Sequence, residues 1–122
     1  MHYFQYKNGH LHAEDIAVAD LVSEYGTPLY IYSATTLKRH YKAFDTAFDG
    51  IDHLTCYSVK ANSNMSFLKI LAQEGAGTDI VSGGELFRAL RAGVDPKKIV
   101  YSGVGKKTVE IQEALFADIL MF

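Results

Sequence analysis

The sequence predicts an α/β fold built on a parallel sheet, and three observations carry that prediction. From residue 53 onward, short β-prone runs alternate with helical stripes in the order βαβαβαβ, which implies parallel strands joined by crossover helices. The helical stretches open on capping residues and close on glycine or a turn. The 122 residues are 48% hydrophobic and 21% charged, a globular balance that excludes general disorder. Two architectures satisfy this pattern: a doubly wound open sheet and a (β/α) barrel.

The elements follow in order. Residues 3–12 mix aromatics around Asn8-Gly9, a strong hairpin turn signal. From Asp15 the pattern becomes helical, with Val18, Leu21, Val22 and Tyr25 on one stripe, and Gly26 and Pro28 end it. Residues 29–32 read as a short strand. Ser33 can cap a helix with the stripe Leu37, Tyr41, Phe44 and Phe48, closed by Gly50. Residues 53–59 form the next predicted strand. Asn64 can cap a helix carrying Phe67, Ile70 and Leu71, and Gly75 closes it. Residues 78–81 read as a strand, and Ser82-Gly83-Gly84-Glu85 matches the capping box S-x-x-E. The helix that follows aligns Leu86, Ala89, Leu90 and Gly93. After the Asp95-Pro96 turn come a strand at 99–102, a helix at 108–116 and a further strand at 118–122.

Composition narrows the function classes. Twelve Lys and Arg against fourteen Asp and Glu give a net charge of −2, so no basic excess recruits nucleic acid or a membrane surface. Cys56 is the single cysteine, which excludes an intrachain disulfide and favours a reducing, cytoplasmic setting. No signal peptide is expected from the first residues, and no apolar run reaches the roughly 20 residues of a membrane span. A full barrel takes ~250 residues, and the last run is apolar and uncapped. The chain is therefore expected to be the N-terminal piece of a longer protein, with a complete small α/β domain as the weaker alternative.

Several cofactor motifs fail. The turn Ser102-Gly103-Val104-Gly105-Lys106-Lys107 lacks the first Gly and the Ser or Thr of a phosphate loop, and its dinucleotide pattern meets Thr108 in place of Gly. A strand-to-helix turn is the better reading of it. His2, His10, His12, His40 and His53 show no metal-binding spacing, so no metal is expected. There is no nucleophile elbow.

Lys60 breaks the local rule, because it ends an apolar strand. Regular alternation sets Leu54, Cys56, Ser58 and Lys60 on one face, with Thr55, Tyr57 and Val59 facing the covering helices. Ligands of parallel α/β folds sit beyond the carboxyl ends of strands, where Lys60 is placed. A lysine held against a low-dielectric interior is activated for covalent chemistry with a carbonyl. Asp79, on the next strand, can pair with that amine or orient it. The plain alternatives are a snorkelling strand-end lysine and an ordinary ion pair or turn-facing carboxylate.

The segment Tyr57-Ser58-Val59-Lys60-Ala61-Asn62 resembles the cofactor-lysine motif of the fold-type III pyridoxal-phosphate enzymes, which include the alanine racemases and the basic amino-acid decarboxylases. Three further stretches are similar to the diaminopimelate decarboxylase branch of that family. They are residues 75–86 with 88–96, the run from Ile99 to Lys107, and Gly26-Thr27-Pro28-Leu29-Tyr30 with Tyr32. Lys107 departs from the pattern, where a Thr is expected directly after Gly-Lys. The resemblance implies the N-terminal part of a (β/α)8 TIM-like barrel of the alanine racemase type. Residues 1–34 would be a hairpin, helix and strand leading into it, and 35–122 its first half. A C-terminal β domain would lie outside this chain. The resemblance further implies pyridoxal 5'-phosphate as cofactor, Lys60 as the catalytic Schiff-base lysine and Asp79 as a cofactor-binding residue. It implies decarboxylation of meso-2,6-diaminopimelate to L-lysine by a homodimer, with no nucleic-acid or membrane partner. The alternatives are a decarboxylase of ornithine, arginine or carboxynorspermidine, or a non-catalytic pyridoxal-phosphate carrier. Glu85 reads as structural through its capping box, and residues 1–122 alone are expected to be inactive.

Overall fold

A computed structural model describes residues 2–122. The chain divides into two compact units, with the boundary between His40 and Tyr41.

The first unit begins with the predicted hairpin. Strands β1 (Phe4–Lys7) and β2 (His10–Ala13) pair antiparallel, and Asn8 and Gly9 turn between them at φ of 51° and 81°. Both positive values are what a tight hairpin turn demands, and Asn and Gly tolerate them best. A third strand, β3 (Ile16–Ala17), adds to β2, so helix α1 (Val18–Tyr25) starts later than the periodicity from Asp15 predicts. Glu14 makes this difference. It turns the chain at φ 56°, and its carboxylate accepts from the Ser33 hydroxyl at 2.7 Å and the Thr35 amide at 2.8 Å. Ser33 in turn accepts from the Thr36 amide at 3.0 Å, capping α2 (Ala34–Asp45) as expected. Residues 29–32 are not a strand. They lie in neither sheet, and Tyr30 is exposed. A β-prone run becomes a strand only where an edge is available to pair with it.

The second unit holds the parallel sheet. Its strands are β4 (Cys56–Ser58), β5 (Gly77–Ile80) and β6 (Ile99–Tyr101), in spatial order β4-β5-β6. The crossovers are α3 (Met65–Gln73) and α4 (Gly83–Ala92), and α5 (Thr108–Phe116) follows β6. Asn64 caps α3 by accepting from the Ser66 and Phe67 amides at 2.9 and 3.3 Å. Ser82 caps α4 by accepting from the Glu85 amide at 3.2 Å. Gly93 ends α4 in the left-handed region at φ 87°. The strand expected to begin at 118–122 is present as its start: Val100 and Met121 form a parallel bridge, the Leu120 amide donates to the Ile99 carbonyl at 3.1 Å, and the Tyr101 amide donates to the Met121 carbonyl at 3.0 Å.

One buried cluster decides the architecture. Leu68 of α3, Leu86, Ala89 and Ala92 of α4, and Ala114 of α5 all pack with Ile80, Ile99 and Tyr101 of the sheet and with Val59 just after β4. The three helices therefore cover the same face. A doubly wound sheet divides its helices between two faces, whereas a barrel keeps them all outside. The opposite face carries Cys56, Ser58, Asp79 and Ser102 and takes no part in this core. The fold is that of the first part of a (β/α) barrel.

Candidate active site

Lys60 stands just beyond the carboxyl end of β4. The strand stops at Ser58, and residues Val59–Ala61 form a 3-10 turn. Lys60 therefore does not continue the alternating face of Cys56 and Ser58, as regular extension implied. Completely buried Val59 anchors the turn on the helix side. The Tyr57 hydroxyl donates to the Asn62 carbonyl at 3.3 Å, and the Arg88 guanidinium donates to the Ser63 carbonyl at 3.2 Å. The backbone on both sides of Lys60 is thus tied down while its side chain is exposed. Among the described residues the Lys60 amine has neither a hydrogen bond nor an ion pair. The enclosure that the apolar strand suggested is not formed by these residues.

Asp79 lies on the neighbouring strand, paired in register with Ser58. The Ser58 hydroxyl donates to Oδ2 of Asp79 at 3.0 Å, and the Ser102 hydroxyl makes a short hydrogen bond to Oδ1. Both carboxylate oxygens are therefore held, each from a different flanking strand end. The turn after β4, which carries Lys60, packs against β5, which carries Asp79. The two residues thus lie at the same end of the sheet, with no hydrogen bond or ion pair between their side chains among the described residues.

Close backbone approaches build this end. A Cβ on Gly103 would sit 2.5 Å from the Val81 carbonyl oxygen, so only glycine lets the chain leaving β6 pass the end of β5. A Cβ on Gly77 would meet the Lys98 carbonyl oxygen and lie 2.8 Å from the Cys56 sulfur. Burial pushes the Cys56 thiol up, with the Asp79 charge adding to it.

Glu85 is structural, as its spacing suggested, but it reaches back one residue further than a standard capping box. Its carboxylate accepts from the Val81 amide at 2.7 Å. Glu110 escaped the sequence reading. It accepts from the Lys107 amide and from the Gly83 amide, each at 2.8 Å, and so joins the starts of α5 and α4. These amides, Lys107 first, hold its carboxyl below the usual carboxylate range. An acidic residue three positions after Lys107 at a helix start was the signal available. The turn 102–107 is a strand-to-helix connection in which the Lys106 amine folds back onto the Gly103 carbonyl at 2.6 Å. No group of three or more His, Cys, Asp or Glu among the described residues is placed to hold a metal ion. No helix among them is long and apolar enough to cross a membrane.

Comparison with known proteins extends these observations. Residues 34–122 match the family model described as pyridoxal-dependent decarboxylase, pyridoxal binding domain. The chain is 54% identical over its whole length to a diaminopimelate decarboxylase of Vibrio cholerae, of which it covers 30%. A crystal structure of a protein from Aquifex aeolicus superposes with a TM-score of 0.93 at 47% identity, over 98% of this chain and 29% of that one. The crystal structure of diaminopimelate decarboxylase from Helicobacter pylori complexed with L-lysine gives 0.81 at 44% identity, over 84% of this chain and 26% of that one. The chain thus spans less than a third of the length of each of these proteins. With its matched span running from α2 to its last residue, the chain belongs to the pyridoxal-dependent decarboxylase family, within its pyridoxal-binding domain.

Proposed function

We propose that the full-length protein is a diaminopimelate decarboxylase that converts meso-2,6-diaminopimelate to L-lysine and carbon dioxide. The observation that carries this reading is an exposed lysine on a tethered turn beyond the carboxyl end of β4, in a chain 54% identical to a relative of that name. The residues present fit pyridoxal 5'-phosphate. Its aldehyde needs a lysine amine at a solvent-reachable position, and the Lys60 side chain is exposed. When bound, the cofactor supplies an electron sink for the carbanion left by loss of the carboxylate. This chain's residues contribute holding and orientation. Lys60 anchors the cofactor covalently and exchanges with the substrate amine. Asp79 presents a fixed negative charge on the neighbouring strand. Val59, Tyr57 and Arg88 keep the Lys60 backbone in place while its side chain moves.

In this reading residues 1–34 lead into the barrel and residues 35–122 form its first part. The remaining substrate and phosphate contacts come from chain outside these residues, in a cytoplasmic homodimer. The test uses the full-length protein. Borohydride reduction in the presence of pyridoxal phosphate, followed by peptide mapping, is expected to fix the cofactor on Lys60. Carbon dioxide release is expected with meso-2,6-diaminopimelate and not with ornithine or arginine. Cofactor fixed on Lys69 or Lys106, or faster release from ornithine, would overturn the reading.

A further inference from the structure

Asp79 carries more hydrogen bonding than its charge alone requires. Ser58 and Ser102 come from the strand ends on either side of it, and each spends its only hydroxyl proton on a different carboxylate oxygen. The sheet does not need this bridge for its pairing. The Ser102 amide already donates to the Ile80 carbonyl at 2.9 Å, and the apolar cluster on the far face fixes the register. The bridge does restrict the carboxylate, which is pinned at both oxygens across three strand ends. An ionised carboxylate offers about four lone-pair sites, so roughly half remain for a further donor. Lys60, two residues beyond Ser58 in the turn that packs on β5, brings three N–H donors and has no partner among the described residues.

We propose that Ser58 and Ser102 are positioning residues, which hold the Asp79 carboxylate at the carboxyl end of β5 as the fixed anionic partner of the amine that stands at Lys60. The assignment rests on the reading of Lys60 and Asp79 as one site. Its logic is preorganisation. A half-buried carboxylate without the two serines can rotate toward water, whereas one held at both ends pays no reorganisation when an amine arrives.

The experiment uses full-length protein stripped of cofactor. Trace acetylation with acetic anhydride at fixed pH, read by mass spectrometry, gives the labelling rate of Lys60 relative to Lys69 on α3. Pairing with a carboxylate slows acetylation of an amine. D79N is expected to speed Lys60 labelling about fivefold, and S58A/S102A about threefold, the scale of a partly exposed ion pair. S102T keeps the hydroxyl and is expected to label like the unmodified protein. If S58A/S102A melts early, S102A alone carries the test, because Ser102 is exposed and lies outside the strand. Fast labelling in D79N with unchanged labelling in the serine variants would overturn the positioning role and leave the Lys60–Asp79 site standing. Unchanged labelling in D79N would overturn both.

Discussion

Gly103→Ala tests the geometry of the site end of the sheet most directly. Built on the present backbone, the new Cβ lies 2.5 Å from the Val81 carbonyl oxygen, 2.9 Å from its Cα and 3.0 Å from its carbonyl carbon. Ordinary contact begins near 3.4 Å, so the two chains must separate by about 0.9 Å. All three neighbours are backbone atoms, and none can rotate away as a side-chain tip would. Overpacking of this kind costs about 1–3 kcal/mol, which is roughly 5- to 150-fold in a folding equilibrium. The strain falls beside Ser102, whose amide bonds to Ile80 and whose hydroxyl bonds to Asp79. Gly105→Ala is the control, because a Cβ there meets nothing within 4 Å and its backbone is not left-handed. Urea midpoints of the full-length variants, followed by circular dichroism with and without pyridoxal phosphate, measure the effect. Gly103→Ala should unfold at lower urea and lose more of the cofactor's stabilisation than Gly105→Ala. Equal midpoints for the two variants would refute the close-approach reasoning.

Three further outcomes are expected. Asp79→Asn should slow turnover of the full-length enzyme by about tenfold or more while moving the urea midpoint little; unchanged turnover with a large loss of stability would make Asp79 purely structural. His53 contacts Asp45 at 3.3 Å, and its hydrogen bonds, to the Ile51 carbonyl first and then to Asp45, raise it above its ordinary value near 6.5. A raised histidine contributes stability in full below its unfolded value and loses it as pH rises through the folded value. His53→Gln should therefore lag the unmodified protein most at pH below about 6 and converge with it above neutrality, and a gap independent of pH would count against the pair. Residues 1–122 expressed alone should self-associate and lack decarboxylase activity, because Phe116 is 94% exposed and Phe87, Leu115, Met121 and Phe122 are each at least half exposed; a monomer that melts cooperatively in sedimentation and calorimetry would refute this.

Much of this protein was legible wherever the signal is local. Asn8-Gly9 dictates its turn through backbone sterics. Asn64 and Ser82 cap helices by bonds to amides two or three residues away. The strand-end place of Lys60 follows from where an apolar run stops. Local signals failed where a partner at a distance decides the outcome. Residues 29–32 have strand propensity but belong to neither sheet. Periodicity left the barrel and the open sheet both open, the family resemblance pointed to the barrel, and the placement of α3, α4 and α5 on one face agrees with it. The tertiary structure alone brought Ser58, Asp79 and Ser102 together and set Glu110 between two helix starts. Those contacts join residues 21, 23 and 27 positions apart. Such contacts depend on strand register and helix placement, which burial of the whole apolar cluster fixes.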